Sequence, residues 1–311
     1  MKYGFIKVAA ITPQVEVADC PHNAPAIAKG MEQAYQEGAQ IAVFPELSLT
    51  GYTCGDLFLQ DSLLAGTRKA LEDLVEKSKE YAGMLSFVGL PVLFEQKIYN
   101  CAAVIQDGRI LALVPKKHLP NYSEFYEQRH FIPAPEENRK IQWGGREIPF
   151  GNHLLLECTN QPALLVGVEI CEDLWVASPP SIGLAMAGAT LIVNLSASDE
   201  TIGKAEYRRS LVKGQSARLL CGYVYCDAGD GESTTDMVFA GHNLIAENGR
   251  VLAESEPFQN GMIVTEIDVE RMLYDRRRMS TWISQTDSYE RVSFELRETA
   301  VRLTRDISKY P

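Results

Sequence analysis

The chain has 311 residues, 46% of them hydrophobic and 23% charged, so it is long enough to bury the core of a large globular domain. Its 41 Asp and Glu residues outnumber the 30 Lys and Arg residues, and the formal net charge of −11 argues against a nucleic-acid-binding protein. No apolar run approaches the roughly 20 residues of a transmembrane helix, and the residues after Met1 lack the features of a signal peptide. We therefore expect a cytoplasmic protein that does not interact with membranes.

The cysteines are odd in number and scattered along the chain, which favours reduced thiols over a disulfide framework. They are Cys20, Cys54, Cys101, Cys158, Cys171, Cys221 and Cys226. Cys221 and Cys226 lie close together, but no second Cys or His pair accompanies them. We therefore expect no metal site.

In the first half of the chain, predicted strands alternate with helices and then form a hairpin. The predicted strands are Phe5–Ile11, Ile41–Phe44, Met84–Leu90, Tyr99–Gln106 and Arg109–Val114, and the predicted helices are Asn23–Glu37 and Asp61–Tyr81. Asp107-Gly108 is a strong turn signal between the last two strands. A polar and aromatic stretch without predicted regular structure follows, from Pro115 to about Gly151.

The second half adds further strands, with a second hairpin at Asn248-Gly249. The predicted strands are Leu154–Glu157, Ala163–Glu169, Leu191–Asn194, Tyr223–Cys226, Asn243–Ile245, Arg250–Ala253 and Gly261–Ile267, and the predicted helices are Ser181–Ala187, Lys204–Leu220 and Ser288–Ser308. Helices that alternate with strands, together with hairpins, imply mixed sheets. Two packed sheets between layers of helices fit this order best.

Three reactive side chains stand directly after predicted strands. Glu46, Lys116 and Cys171 occupy equivalent strand-to-loop positions, in that order along the chain. Taken singly, each has an ordinary explanation: a surface carboxylate, a solvated lysine and a packed thiol. Because the ends of neighbouring strands gather at one rim of a sheet, the three side chains can converge there.

The surroundings of Cys171 also bear on its chemistry. The adjacent Glu172 and Asp173 disfavour a thiolate unless a cation or a general base compensates. Lys116 and Glu46 are the candidates for those roles.

Two segments near these residues are suited to the wall of a small-molecule pocket. Thr50–Asp56 is polar and contains glycine, and Tyr122–Glu127 combines aromatic with acidic side chains. Aromatic walls with a few polar groups are typical of small-molecule sites.

The three motifs together resemble those of the nitrilase, or carbon–nitrogen hydrolase, superfamily. They are Phe44-Pro45-Glu46-Leu47, Lys116-Lys117-His118-Leu119-Pro120 and Cys171-Glu172-Asp173-Leu174-Trp175. The likeness spans roughly Lys7 to Ile267. Within the superfamily, the Cys motif, Leu119–Glu127 and Asn194–Ser198 look most like the glutaminase domain of glutamine-dependent NAD synthetases. The resemblance implies a mixed α/β fold, a four-layer αββα sandwich that is usually paired across a two-fold axis.

The resemblance also implies roles for individual residues. Cys171 would be the nucleophile, Glu46 the general base and Lys116 the stabiliser of the tetrahedral intermediate, while the family's additional carboxylate would fall on Glu124. Lys204 stands where relatives commonly carry Arg, and a lysine cannot form the bidentate pair with a carboxylate. The full predicted substrate-binding set is Tyr122, Ser198, Lys204, Glu124, Glu127, Tyr52, Phe125 and Trp175.

The predicted function is that of a glutaminase domain (residues 1–275) that supplies ammonia for ATP-dependent NAD synthesis. Residues 276–311 would form a helical extension toward an absent synthetase domain, where ATP and nicotinate-adenine dinucleotide would bind. The glutaminase step itself would need no metal or cofactor. We expect glutamine, the synthetase domain and further copies of the chain, in a homodimer or larger homo-oligomer, as partners.

Two other functions are compatible with the sequence. The first is a free-standing nitrilase-type amidase or carbamoylase that acts on another small linear amide. The second is a catalytically silent interaction domain, although the intact Glu46, Lys116 and Cys171 argue against it.

Overall fold

The structure is a computed structural model that describes residues 4–285, 289–298 and 303–305. Its strands are β1 (Phe5–Thr12), β2 (Ile41–Val43), β3 (Leu85–Phe94), β4 (Lys97–Gln106), β5 (Arg109–Pro115), β6 (Arg139–Trp143), β7 (Arg146–Phe150), β8 (Leu154–Cys158), β9 (Leu165–Ile170), β10 (Leu191–Ser196), β11 (Gly222–Asp227), β12 (Leu244–Glu247), β13 (Arg250–Glu254), β14 (Gly261–Asp268) and β15 (Glu290–Phe294). Its α-helices are α1 (Cys20–Gln36), α2 (Asp61–Lys77), α3 (Pro180–Met186), α4 (Lys204–Leu219) and α5 (Val269–Arg278). Short 3-10 helices span Gly55–Leu59, Ser78–Tyr81, Glu127–Arg129 and Cys171–Leu174.

The described strands form two sheets. The first has the order β14-β1-β2-β3-β4-β5-β7-β6, and the second has the order β13-β12-β11-β10-β9-β8-β15. Both sheets contain parallel and antiparallel pairs, because helices connect some neighbouring strands and tight hairpins connect others. The predicted hairpin at Asp107-Gly108 is confirmed by the antiparallel pairing of β4 with β5.

Alternation along the strands of the first sheet divides the interior into two cores. Val8 and Ala10 point into a core shared with the second sheet, whereas Ala9 and Ile11 point into a core shared with α1 and α2. On the far side of the second sheet, α3 and α4 pack against its strands. The layers therefore follow the order helix, sheet, sheet, helix, and the predicted αββα sandwich is confirmed.

The start of α1 shows how local sequence sets an element boundary. Asp19 accepts a hydrogen bond from the backbone N–H of His22 at 2.9 Å, so it caps the first turn of the helix. Pro21 fits that turn because the first backbone N–H groups of a helix have no intrahelical partner.

The stretch from Pro115 to Gly151 contains a hairpin that the sequence analysis missed. β6 and β7 pair antiparallel through Gly144 and Gly145, which have φ values of 56° and 76°. That left-handed backbone is readily available to glycine, so the Gly-Gly pair was the signal for this turn.

The helix predicted for Ser288–Ser308 is wrong over its described central part. Glu290–Phe294 forms β15, which pairs parallel with β8 at the edge of the second sheet. Val292 and Phe294 are two residues apart and share one face of the strand, so the period of two prevailed over the charged, helix-like composition. Residues 286–288, 299–302 and 306–311 of this region lie outside the described residues.

The predicted boundary between residues 275 and 276 falls inside α5. The division into two parts stays a prediction, but β15 shows that residues after 276 contribute to the second sheet. Within the described ranges, no helix is both long and apolar enough to cross a membrane.

Candidate active site

Glu46, Lys116 and Cys171 meet where the two sheets approach each other. Glu46 follows β2 and Lys116 follows β5, both in the first sheet, whereas Cys171 follows β9 in the second. The sheets are joined at this point, because the backbone N–H of Ala197 donates to Glu46 Oε2 at 3.0 Å and that of Glu46 donates to Ser196 O at 3.2 Å. The predicted convergence of three strand exits therefore occurs across two sheets.

A glycine on the neighbouring strand makes room for the loop that carries Glu46. A Cβ atom on Gly89 would lie 2.3 Å from Leu47 N and 2.4 Å from Pro45 O, closer than real Cβ contacts come. Leu47 itself has a φ of 50°, so the chain turns sharply just after the carboxylate. Glycine at position 89 is thus a condition for the placement of Glu46.

Lys116 is the centre of a buried ionic cluster. Its Nζ donates to Glu46 Oε1 and to Glu127 Oε1, each at 2.6 Å. Asn100 Nδ2 donates to Glu46 Oε1 at 2.6 Å, and the Tyr52 hydroxyl donates to Glu127 Oε1 at 2.8 Å. Such charges tolerate burial only when partners compensate them, and here each carboxylate has both a cation and a neutral donor.

The cluster changes the proton affinities of its members. Burial raises the pKa of Glu46, an effect that Lys116 opposes, and raises the pKa of Glu127 to about 7. Burial disfavours the charged form of Lys116, but the two carboxylates outweigh it and hold its pKa well above the usual value. The lysine is therefore a fixed cation, and Glu46 is a carboxylate with an increased affinity for a proton.

Cys171 begins a 3-10 helix in a backbone conformation that is unusual for a residue with a side chain. Its φ is 40°, and its Sγ lies 3.9 Å from Ala197 O. Burial raises the pKa of the thiol well above its usual value, the Glu46 carboxylate raises it further, and Lys116 lowers it. The raised pKa favours the neutral thiol, so attack on a substrate requires a base to take the proton.

Asp173 joins the turn at Cys171 to the segment after Lys116. Its Oδ2 accepts the backbone N–H of Ile170 at 3.0 Å, and its Oδ1 accepts that of His118 at 2.9 Å. The His118 ring lies on the same carboxylate, with Nδ1 at 2.8 Å from Oδ1. One buried aspartate thus fixes the loop of Cys171 relative to the loop of Lys116.

Cys171 opens into a cavity of about 370 Å³. Its walls include six of the eight residues that the sequence analysis assigned to substrate binding: Tyr122, Glu124, Phe125, Trp175, Ser198 and Lys204. The remaining two, Tyr52 and Glu127, line an adjoining cavity of about 180 Å³, which shares Glu124 and Phe125 with the first. Six of the predicted residues therefore share a cavity with the thiol, and the other two line the cavity beside it.

Glu127 is the carboxylate that, together with Glu46, binds the Lys116 ammonium group. The family resemblance predicts the additional carboxylate at Glu124 instead. Glu124 is half-buried on the wall of both cavities. Glu127 is turned inward at the start of a 3-10 helix, where its backbone N–H donates to Pro120 O at 3.1 Å. Spacing along the chain could not reveal this turn, because the bonds from Lys116 and Tyr52 to the Glu127 carboxylate join separate parts of the chain.

The larger cavity presents both signs of charge. Lys204 Nζ lies 5.2 Å from the ring centroid of Trp175 and 5.6 Å from that of Phe125, and it forms an ion pair with Asp199. Across the cavity lining, the Tyr122 hydroxyl donates to the Glu172 carboxylate at 3.0 and 3.1 Å. A ligand that carries both an anionic and a cationic group fits these walls.

Two supporting residues escaped the sequence analysis. Asn100 lies within β4 and reaches Glu46, as described above. Arg208 is fully buried. Its Nη2 donates to Ser198 Oγ at 3.2 Å, and its Nη1 donates to Glu200 Oε2 at 2.9 Å. The buried face of α4 contains residues 208, 212, 215, 216 and 219, so helical periodicity was a signal for Arg208.

The described residues contain no group of three or more His, Cys, Asp and Glu side chains arranged to hold a metal ion. The reactive groups that the fold gathers here are the Cys171 thiol, the Glu46 carboxylate and the Lys116 ammonium group.

Comparison with protein-family models matches residues 7–276 to the carbon–nitrogen hydrolase family. The chain is 42% identical to glutamine-dependent NAD(+) synthetase of Mycobacterium tuberculosis (strain ATCC 25618 / H37Rv), over 100% of this chain and 47% of that protein. It is 39% identical to the enzyme of the same name from Mycobacterium leprae (strain TN), over 99% of this chain and 47% of that protein. The chain therefore spans about half the length of these relatives.

Solved structures show the same similarity in three dimensions. A glutamine-dependent NAD(+) synthetase from Cytophaga hutchinsonii superposes with a TM-score of 0.76 and 28% identity, covering 85% of this chain and 43% of that one. An amidase of the nitrilase superfamily from Nesterenkonia AN1 has a TM-score of 0.67 at 19% identity, covering 89% of this chain and 96% of that one. The second likeness concerns the fold alone.

Proposed function

The chain belongs to the carbon–nitrogen hydrolase family, and we propose that it hydrolyses the side-chain amide of glutamine to glutamate and ammonia. The observation that carries this proposal is the contact of Lys116 with Glu46 beside the buried Cys171 thiol, which opens into a cavity with charged walls. Glutamine supplies an amide for the thiol, and its α-amino and α-carboxylate groups match the two signs of charge.

The names of the relatives support glutamine as the substrate and ammonia transfer as its purpose. Both mycobacterial proteins are called glutamine-dependent NAD(+) synthetases, and this chain aligns with about half of each. We assign the chain to the ammonia-producing part of such an enzyme, which would act in the cytoplasm as a homo-oligomer. The partner would be a synthetase domain where ATP and nicotinate-adenine dinucleotide bind, and the glutaminase step would need no metal.

Acylation begins with the neutral thiol. Glu46 takes the proton of Cys171 while Sγ forms a bond with the δ-carbonyl carbon of glutamine, and the carbonyl oxygen gains negative charge. Lys116 is the fixed cation next to this position and stabilises that charge, together with backbone N–H groups near residue 172. The C–N bond then breaks, and the proton held by Glu46 passes to the leaving nitrogen, which departs as ammonia.

Deacylation uses the same base in the same order. Glu46 takes a proton from water as the water oxygen attacks the thioester carbonyl. The C–S bond breaks, glutamate is released, and the proton returns to Cys171. The raised pKa of Glu46 suits a group that accepts and releases a proton twice in each cycle.

The cavity walls define how glutamine would bind. Lys204, between the rings of Phe125 and Trp175, would attract the α-carboxylate, while Glu172 would attract the α-ammonium group. Lys204 is shared with Asp199 and makes a single-point contact, in contrast to the two parallel bonds of an arginine. Ser198 and Tyr122 complete the lining on either side.

The proposal is tested by replacing the thiol. Cys171→Ala should reduce ammonia release from glutamine by at least ~10³-fold, since loss of a nucleophile removes the covalent route. Cys158→Ala is the matched control, because Cys158 is also a buried thiol but lies on β8, where it hydrogen-bonds Asn160. Near-normal ammonia release from Cys171→Ala would refute the mechanism.

A substrate panel tests the choice of amide. Glutamine should be hydrolysed faster than asparagine, simple aliphatic amides and N-carbamoyl amino acids, because only glutamine places its amide at the thiol with both charged groups on the walls. Faster hydrolysis of an uncharged aliphatic amide would retain the family chemistry and overturn the proposed substrate.

A further inference from the structure

A buried amide holds the backbone of Cys171. Asn194, on β10, is completely buried, and its Oδ1 accepts the backbone N–H of Cys171 at 3.1 Å. The same oxygen accepts the hydroxyl of Ser196 at 2.7 Å. The residue it holds has the positive φ described above, a conformation that is strained for a residue with a side chain.

The amide is itself held by a second pair of buried side chains. Asn194 Nδ2 donates to the Tyr223 hydroxyl at 3.1 Å, and that hydroxyl donates to the carboxylate of Glu169. Glu169 Oε2 also accepts the backbone N–H of Ser181 at 2.9 Å. The Tyr223 hydroxyl donates its proton to Glu169, so it can only accept a hydrogen bond from Asn194. The Asn194 amide therefore has one orientation, with its NH2 group toward Tyr223 and its oxygen toward Cys171.

Burying this network of polar side chains costs desolvation free energy, which a purely structural element could avoid. Glu169 is buried with neutral donors around it, and burial raises its pKa to about 7. Apolar residues could fill the same volume without desolvating a carboxylate and an amide. This series of hydrogen bonds ends on the backbone N–H of Cys171.

We propose that Asn194 is a positioning residue for Cys171: it fixes the peptide plane before the nucleophile, and Tyr223 and Glu169 fix the orientation of its amide. The direction of the Cα–Cβ bond, and hence of Sγ toward Glu46 and the substrate carbonyl, follows from that plane. This inference rests on the proposed role of Cys171 as the nucleophile. Asn194 is not among the residues that line the cavity, and its side chain bonds the Cys171 backbone, Ser196 and Tyr223, so we expect it to affect kcat and not substrate affinity.

The test compares Asn194→Ala with Tyr223→Phe and with a control on the same strand. Val193→Ala removes buried volume one residue away without touching the Cys171 backbone. We expect Asn194→Ala to lower kcat for glutamine about 10²-fold at nearly constant KM, because small misplacement of a reacting group has effects of that size. Tyr223→Phe should lower kcat less, and Val193→Ala should keep the wild-type kcat per folded molecule.

A second measurement does not depend on glutamine. Alkylation of Cys171 by iodoacetamide in the folded protein should be slower in Asn194→Ala and in Tyr223→Phe than in the wild type and Val193→Ala. Stability loss without any change in kcat or alkylation rate would overturn the positioning role. Should Asn194→Ala fail to fold, Tyr223→Phe decides by the same two measurements.

The two proposals fail in different ways. Wild-type protein that releases no ammonia from glutamine, yet shows slower alkylation in Asn194→Ala, would refute the substrate and support the positioning role. Normal glutamine hydrolysis with an unchanged kcat in both variants would support the substrate and refute the positioning role.

Discussion

Glu46 and Lys116 come from the first sheet and are held in place by charge, whereas Cys171 comes from the second sheet and is held by hydrogen bonds to the backbone of its turn. On the first sheet, one ammonium group binds two carboxylates at 2.6 Å, and neutral donors occupy further positions on each. On the second sheet, an asparagine and an aspartate bind backbone N–H groups around a left-handed turn.

Glu46 and Lys116 form what we call the acid–base half of the site, and Cys171 with its turn forms the nucleophile half. The two halves have different physical requirements. Buried charges are stable only with compensating charges, so the acid–base half is a cluster in which every ion needs the others. A residue with a positive φ needs hydrogen bonds that fix its turn, so the nucleophile half is a network around the strained backbone of Cys171. The first half should respond to changes in charge and pH, and the second to changes in shape and hydrogen bonding.

The largest effect is expected from removing the cation that joins the acid–base half. Lys116→Ala leaves two buried carboxylates without a counter-ion, which should lower the free energy of unfolding by about 3–5 kcal/mol. It also removes the proposed stabiliser of the oxyanion, for an expected loss of roughly 10²–10³-fold in ammonia release. Lys117→Ala is the control, because Lys117 is exposed, and it should retain both stability and activity. The opposite ranking of the two variants would show that the wrong lysine has been assigned.

The next effect concerns the room available for Glu46. Gly89→Ala should lower the free energy of unfolding by about 1–3 kcal/mol, because the added methyl group meets the backbone of the Glu46 loop. Ammonia release should fall as well, since the loop must move. Gly66→Ala on α2 is the matched control, with open space around the new atom, and it should stabilise the helix by roughly 0.5–1 kcal/mol. Equal urea midpoints for the two variants would contradict the steric argument.

The smallest expected effect is a shift in the pH dependence of activity, which should occur for a change in the acid–base half and not for a change in the nucleophile half. In the proposed mechanism Glu46 acts as a base only when deprotonated, so activity should fall as the pH drops through its raised pKa. Glu127→Gln removes a like charge from the cluster, which should lower the pKa of Glu46 and move the acid limb of the pH–rate profile to lower pH. The same measurement on Tyr223→Phe should leave that limb in place. A shift of the Glu127→Gln limb to higher pH would show that Glu127 does not act on Glu46 through its charge.

The strand-to-loop positions of Glu46, Lys116 and Cys171 could be predicted, because a buried strand leaves a clear hydrophobic run and its end can be read from the sequence. That Glu46 and Cys171 come from different sheets could not be predicted, since it depends on how two layers stack. Glu127 was recognised as a site residue, but not as the partner of Lys116, because hydrogen bonds outside its own segment turn it inward. The error at Glu290–Phe294 arose because charged residues concealed an apolar period of two.

Two hydrogen bonds join the sheets at the site, one from Ala197 to Glu46 and one from Glu46 to Ser196. We call this contact the seam between the sheets, and the proposed reaction depends on it because Glu46 and Cys171 lie on opposite sides. Opening of that seam by heat or denaturant separates the base from the thiol while each sheet keeps its own strand pairing. Loss of ammonia release should therefore precede loss of circular dichroism on heating, and cooling should restore the activity as the seam closes. The protein would then be inactivated in a step of its own, at a lower temperature than the one at which its secondary structure melts.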